Sequence, residues 1–261
     1  MTEEVRVKIL LPIYVQFNQN IRRSLIGFLK SLLSDLDISE IIVINPQKRF
    51  TEIAIRGADA HIAGKFLEKE FGKSLTWNDL RDGEEYRGIV RSVNNNAFYV
   101  DIGLVDPDYF RVKITFKEFI RGLFRVGKDI PEDLFNLFGI RQYFPIHVKV
   151  VFSAGIDEDK RVIFGSLSRR SVNMLLSWLR MRLDRLIIYG ATRSQVEKAV
   201  KVSGHFRDVV SLERLGFLEY ALVCKWGTSA KGLIPELGPY LPSATFAPFY
   251  PRLIKKRIKL L

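Results

Sequence analysis

Two stretches in the last third of the chain carry residue types suited to holding phosphate. Ala191-Thr192-Arg193-Ser194 places a guanidinium at the start of an expected helix. Backbone N–H groups there attract anions, and an arginine adds a two-pronged donor. Cys224-Lys225-Trp226-Gly227-Thr228-Ser229-Ala230-Lys231 sets Lys225 and Lys231 around a glycine and two hydroxyls. Both stretches follow apolar runs, so both read as strand-to-helix turns. Two such turns can lie at the same edge of a sheet and share one phosphate-bearing ligand. Simple helix capping by Thr192 and Thr228 is the competing reading. Arg180 and Arg185 add cations on and just after a helix whose Leu175, Trp178 and Leu179 share the apolar face.

Catalytic chemistry has thin support. His61, His147 and His205 fall in three different parts, and only His205 with Asp208 has the spacing of an acid–base pair. No nucleophile motif accompanies them. Gly57 and Gly64-Lys65 are separated by six residues where a phosphate loop needs four, and Phe66 stands where it needs a hydroxyl. Cys224 ends an apolar run and reads as packed. One Cys and three His without ligand spacing exclude a disulfide framework and point to no metal and no cofactor. A noncatalytic protein is expected.

The chain has 261 residues, 41 Lys and Arg against 29 Asp and Glu, and a net charge of +12. Residues 1–75 carry 11 basic and 9 acidic residues, residues 76–168 carry 13 and 14, and residues 169–261 carry 17 and 6. Nearly all of the excess thus sits in the last third. A unit of that size at +11 repels itself unless an anionic partner is near. Phosphate backbones are the usual partner, and an acidic protein is the alternative. A merely solubilising surface would mix both signs. The apolar fraction of 47% excludes general disorder. No apolar run reaches the ~18 residues of a membrane span, and Met1-Thr2-Glu3-Glu4 is no secretion signal, so a cytoplasmic protein without a membrane partner is expected.

Three parts must position these residues: 1–75, 76–168 and 169–261. The first alternates strands at Val5–Leu11, Ile41–Ile44 and Phe50–Ile55 with a helix through Leu25, Leu29 and Leu33 and another through Ile62, Phe66 and Leu67. Asn20 and Asp59 are the expected caps. The order is β-α-β-β-α. The last part repeats it, with strands at Leu186–Tyr189, Asp208–Leu212 and Leu218–Cys224, and with a helix opening at Gly227-Thr228-Ser229. The tail from Arg252 to Leu261 reads as a final strand with exposed basic groups. Ala54-Ile55-Arg56-Gly57-Ala58-Asp59 can be laid beside Cys224-Lys225-Trp226-Gly227-Thr228-Ser229, so the two flanking parts read either as diverged copies or as a coincidence of common junctions.

Five short strands occupy the middle part, at Tyr86–Val93, Ala97–Gly103, Phe110–Phe116, Ile146–Phe152 and Arg161–Leu167. Asn94-Asn95-Asn96 is the turn between the first two. Five strands without a long helix suit a small barrel. Gly83…Arg87-Gly88-Ile89-Val90…Asn96-Ala97-Phe98-Tyr99-Val100-Asp101-Ile102-Gly103 resembles the first hairpin of an S1-type OB domain. Val148-Lys149-Val150…Arg161-Val162-Ile163…Leu167-Ser168 resembles its last two strands. The aromatic and glycine that usually precede the second strand are replaced by Asn95 and Asn96. Tyr86, Arg87, Phe98 and Tyr99 are the residues expected to stack bases. Adjacent strand residues face opposite ways, so Phe98 or Tyr99 must point inward.

Ile55-Arg56-Gly57-Ala58-Asp59-Ala60, Gly190-Ala191-Thr192-Arg193 and Cys224-Lys225-Trp226-Gly227-Thr228-Ser229-Ala230-Lys231-Gly232-Leu233-Ile234 together resemble one uncharacterised archaeal protein family. In domain order the chain is also similar to exosome cap subunits and to the translation initiation factor 2 alpha subunit. The expected protein is α+β, an S1-like OB barrel between two small β-α-β-β-α units. It is expected to bind RNA in translation or RNA processing through Arg180, Arg185, Arg193, Lys225 and Lys231. Alternatives are a subunit of a ribosome, RNA polymerase or exosome assembly that docks through the barrel, and an enzyme acting on RNA.

Overall fold

The computed structural model describes residues 4–94, 96–106, 109–124 and 132–259. Met1 to Glu3, Asn95 of the expected turn, and Leu260 and Leu261 of the tail lie outside them. The first unit runs β1 (Glu4–Ile9), α1 (Gln19–Leu32), β2 (Glu40–Pro46), β3 (Thr51–Arg56), α2 (Ala60–Phe71). Its antiparallel sheet has the order β1-β3-β2. Ile21, Leu25 and Leu29 of α1 and Ala60, Ala63, Leu67 and Phe71 of α2 face the sheet at helical spacing. The cap of α1 is Asn18 rather than Asn20, its Oδ1 accepting the Asn20 and Ile21 N–H groups at 3.0 Å each. Asp59 stands before α2, but its carboxylate accepts the Asp37 N–H at 2.8 Å and makes no cap bond.

The middle unit contains β4 (Leu75–Thr76), β5 (Glu85–Val93), β6 (Ala97–Asp101), β7 (Leu104–Asp106), β8 (Arg111–Thr115), α3 (Phe116–Phe124), a 3-10 turn at Glu132–Phe138, β9 (Pro145–Val150), β10 (Ile156–Asp157) and β11 (Val162–Leu167). Its sheet runs β10-β11-β8-β6-β5-β9, and pairing of β11 with β9 closes it into a five-stranded barrel. Only β8 and β11 pair in parallel in this sheet. The barrel is OB-like, as the hairpin motif implied. Gly103, at φ 93°, lies where a Cβ would fall 2.2 Å from the Lys73 carbonyl oxygen, so the turn after β6 needs glycine.

The last unit runs α4 (Arg169–Met181), β12 (Arg185–Tyr189), α5 (Arg193–Val202), β13 (Val209–Arg214), β14 (Glu219–Cys224), α6 (Leu233–Leu237), β15 (Thr245–Phe249) and α7 (Pro251–Ile258). Its antiparallel sheet has the order β13-β14-β12-β15. The segment β13-β14-β12 repeats the order β2-β3-β1 of the first unit, so the two β-α-β-β-α units share a topology. Two expectations are corrected here. α6 begins at Leu233, six residues after Gly227. The tail is a helix, because Pro251 suits a first helical turn and Pro251, Ile254 and Ile258 recur at helical spacing on its inner side.

The four-stranded sheet is covered on both faces. Leu186, Ile188, Leu222 and Cys224 lie under α5 and α6. Ile187, Tyr189, Ala221, Ala247 and Phe249 join the barrel's own core. There Phe138 meets both Phe119 and Phe249 edge-on, with centroids 4.9 and 5.9 Å away. Barrel and last unit therefore share one hydrophobic core.

The first unit is tied to both by buried polar contacts. Tyr14 donates to the Glu219 carboxylate at 2.5 Å and stacks on Tyr143 at 3.6 Å. Arg49 grips Asp101 with two bonds, at 2.7 and 2.9 Å, and its Nη2 also donates to the Leu104 carbonyl oxygen. Burial pushes the Glu219 carboxyl up from 4.5 to about 7, against the Tyr14 hydroxyl and Arg87, which pull it down. The folded state therefore holds the protonated acid more tightly than the unfolded chain does. This contribution to stability is full below about pH 4.5, falls as pH rises towards 7, and is constant above. Glu219→Gln keeps an acceptor for Tyr14 and does not ionise. Urea unfolding at pH 5 and pH 8 should show a smaller stability difference in Glu219→Gln than in the parent, and an unchanged difference would refute the assignment.

Candidate nucleic-acid interface

The order of the last sheet decides which loops meet. β12 pairs antiparallel with β14 on one side and with β15 on the other. The entry to β12 and the exits of β14 and β15 therefore share one edge: Arg185 lies opposite both Val223 and Phe249. Three segments are gathered there, 182–184 before β12, 225–229 after β14, and 250–259 after β15. The exit of β12 lies at the other edge, where Tyr189 faces Glu219 and Thr245. The two turns expected to share a phosphate are consequently a full strand apart, roughly 17 Å at the usual rise per residue. Arg193 and Lys225 form two places, not one.

The gathered edge carries a groove of about 620 Å³ lined by Phe124, Arg182, Trp226, Arg252, Lys255, Lys256, Ile258 and Lys259. Trp226 is 65% exposed. The Arg252 guanidinium lies 3.6 Å from its ring centroid, held from behind by a bond from Nε to the Arg182 carbonyl oxygen at 3.3 Å. Arg182 ends α4 in the left-handed conformation, φ 57°. Pro251 and Ile254 of α7 are buried while Arg252, Lys256 and Lys259 face outward, so packing of the apolar side fixes the direction of the basic side. No carboxylate lines this groove among the described residues. An aromatic face beside five cations suits a base next to its phosphates.

A smaller pocket of about 300 Å³ adjoins it, lined by Asp184, Lys225, Gly227, Thr228, Ser229, Tyr250, Arg252 and Leu253. Gly227 has φ 90° and open space around its α-carbon. Lys225 is thus on the basic edge, exposed. Lys231 is exposed farther along the same loop.

The other expected contacts divide by burial. Arg193 is exposed, holds Glu197 at 2.7 Å, and lines a cleft of about 540 Å³ between α1 and α5 with Ser24, Thr192, Ser194 and Arg214. Thr192 caps α5 in a reciprocal box with Gln195, so the capping reading of that turn holds. Arg180 is exposed, with Nε donating to the Leu176 carbonyl oxygen at 3.3 Å. Arg185 is corrected: it is fully buried, bonded twice to Glu213 at 3.1 and 3.3 Å, and stacked on Trp178. It begins a strand buried on both faces, so its guanidinium cannot reach a phosphate.

In the barrel, Phe98 is corrected as well. It is fully buried and stacks on Phe135 at 5.4 Å. Tyr99 takes the outer face, half-buried, with Arg111 5.2 Å above its ring. Arg87 is turned inward to the Leu215 carbonyl oxygen of the last unit at 3.0 Å, and burial lowers its pKa to about 10. Tyr86 packs on the core, its hydroxyl accepting the Arg81 N–H at 2.8 Å. Of the four expected stacking residues, Tyr86 and Tyr99 keep partly accessible rings.

His205 and Asp208 do meet, Nδ1 to Oδ2 at 2.8 Å, with Glu236 at 3.7 Å from Nε2. The Asp208 hydrogen bond, opposed by slight desolvation and aided by Glu236, raises the His205 pKa. Neither residue lines the grooves described above. Burial, with Arg87 and Arg170 adding to it, drops His147 to about 3, so its imidazole is neutral at pH 7. Burial pushes the Cys224 thiol up to about 12. Among the described residues no three His, Cys, Asp or Glu side chains cluster as metal ligands, and no helix is long and apolar enough to cross a membrane.

Three domains of one family lie along the chain: the DUF2110 N-terminal domain at residues 6–76, the central domain at 80–179 and the C-terminal domain at 183–248. The chain belongs to the DUF2110 family. In this DUF2110 protein Asp184 and Trp226 fall inside the C-terminal match, whereas α7 follows it. No curated protein matches the sequence. Among solved structures, an a/eIF2alpha–aDim2p–rRNA complex from Pyrococcus horikoshii is similar over 50% of this chain and 70% of that one, at 13% identity and a TM-score of 0.25. A multidomain protein with nucleic acid binding domains from Streptococcus pneumoniae matches over 68% and 41%, at 11% identity and 0.21. A protein assigned as an exosome complex RNA-binding protein matches over 69% and 96%, at 12% identity and 0.22. At these scores neither the shapes nor the partners of those proteins bear on the function of this one.

The Trp226 edge was missed in sequence because nothing local marks that ring as exposed. The usable signal was a tryptophan between Lys225 and Gly227, directly after a buried strand. The division by burial predicts a division in stability. Arg185→Ala empties a fully buried site and unpairs Glu213, and should cost about 2–5 kcal/mol. Arg193→Ala and Lys225→Ala should stay within about 0.5 kcal/mol of the parent. Denaturant midpoints of the three variants check this, and a mild Arg185→Ala would sink it.

Proposed function

We propose that this protein binds RNA without catalysis, in translation or RNA processing, and that the basic edge of the last unit grips the strand. The observation that carries this reading is the exposed Trp226 ring, backed by Arg252 and ringed by Arg182, Lys255, Lys256 and Lys259. Stacking tolerates any base, and spaced cations follow a phosphate backbone. The net +11 of the last third supports the same reading. Arg180, Lys225 and Lys231 extend the basic surface. Arg193 forms a separate patch at the opposite edge. Tyr99 and Arg111 offer a secondary contact on the barrel.

Binding of a fluorescent single-stranded RNA to the full chain tests this. The logarithm of the affinity should fall with the logarithm of salt, with a slope near −0.7 per phosphate neutralised. Lys255→Glu with Lys256→Glu should flatten that slope. Trp226→Ala should weaken binding by about 1–3 kcal/mol and leave the slope unchanged. Trp226 is the most exposed of the three tryptophans, and RNA should quench the parent's emission but not that of Trp226→Phe. Salt-independent binding, or no binding at low salt, would refute the reading and favour a protein-docking role through the barrel.

A further inference from the structure

The basic edge holds one carboxylate that phosphate binding does not explain. Asp184 lines the 300 Å³ pocket beside Trp226, together with Thr228, Ser229 and Tyr250. The two cavities are continuous in their walls: Arg252 lines both, and Lys225 and Gly227 flank Trp226 in the chain. A ligand on the ring thus has this pocket beside it.

Asp184 is fixed in place. Its backbone carbonyl accepts the Cys224 N–H at 2.9 Å, and the buried Arg185 follows it directly. The Ala230 amide donates to its carboxylate. Partial burial raises its pKa, opposed by that amide and by Arg252. Arg252 does not close on it as an ion pair. That guanidinium is spread over the Trp226 ring and bonded to the Arg182 carbonyl oxygen.

The chemistry of the pocket follows. A carboxylate only accepts hydrogen bonds, so it repels phosphate and selects a group that donates. The two hydroxyls and the phenol can donate or accept. A sugar with vicinal hydroxyls meets this set, its hydroxyls able to donate to Asp184 and to accept from Lys225 and Arg252, which also line the pocket. In a nucleotide the sugar joins the base to the phosphate, and this pocket adjoins the Trp226 groove through the shared Arg252 and is itself lined by Lys225.

We propose that the Asp184 pocket receives the ribose of the nucleotide stacked on Trp226, with the Asp184 carboxylate accepting a hydrogen bond from the 2′-hydroxyl, so that the edge distinguishes RNA from DNA. This rests on the RNA-binding reading above and sharpens it to a sugar-reading site. The 2′-hydroxyl is the group by which a protein separates the two polymers.

Three labelled ten-nucleotide strands of uridine, deoxyuridine and 2′-O-methyluridine, titrated into the full chain at low salt, test the proposal. The RNA should bind roughly tenfold more tightly than the other two, since a hydrogen bond to a charged group is lost in both. Asp184→Ala should bring RNA to the level of DNA and leave DNA unchanged or slightly tighter, because a negative charge is gone. Asp184→Asn, which retains an acceptor, should fall between. The methylated strand needs no variant, so the comparison stands even if Asp184→Ala fails to fold. Equal affinity of the parent for RNA and DNA would overturn the sugar site and leave RNA binding intact. So would a preference for RNA that survives in Asp184→Ala. Absence of binding by all three strands would overturn both.

Discussion

Antiparallel pairing of β12 with two neighbours is the constraint on which the rest depends. Because β14 and β15 both run against β12, their exits and its entry fall at one edge. That geometry brings Asp184, Trp226 and the α7 helix together from three places in the chain. A parallel arrangement would have set Arg193 and Lys225 side by side instead. The same strand is buried on both faces, which is why its first residue, Arg185, needs the Glu213 carboxylate and the Trp178 ring. An unpaired guanidinium at that depth would be costly.

The basic edge rests on apolar supports. Ile254 and Pro251 anchor α7 on the core shared by barrel and last sheet. Among the described residues no carboxylate lines the groove beside Arg252, Lys255, Lys256 and Lys259. Like charges this close repel one another, and the repulsion is held by packing elsewhere in the molecule. Binding a polyanion would relieve it. The barrel's contribution is largely architectural: its phenylalanines cover one face of the last sheet, and its Arg87 and Tyr143 meet the other two units in the interior.

An OB-like hairpin does not by itself give a stacking platform. Phe98 and Tyr99 alternate across the barrel wall, and the inward place went to Phe98 because Phe119 and Phe135 fill the barrel mouth behind it. Arg87 was legible as basic but not as buried, since its partner is the Leu215 carbonyl oxygen 128 residues away. The Arg49–Asp101 clasp was hidden for the same reason: one partner sits in a loop of the first unit and the other at the end of β6.

Local pattern alone determined the α+β class, the five barrel strands, the repeated β-α-β-β-α order and the concentration of positive charge in the last third. Those are consequences of period and composition, which act over a few residues at a time. Tertiary structure decided which edge each turn occupies, which arginines are interior, and that the tail is a helix seated by Ile254. These depend on strand direction and on burial against distant segments. A tryptophan between a lysine and a glycine reads the same whether buried or bare. Only the closing of β14 and β15 around β12 left its face open beside the cations of α7.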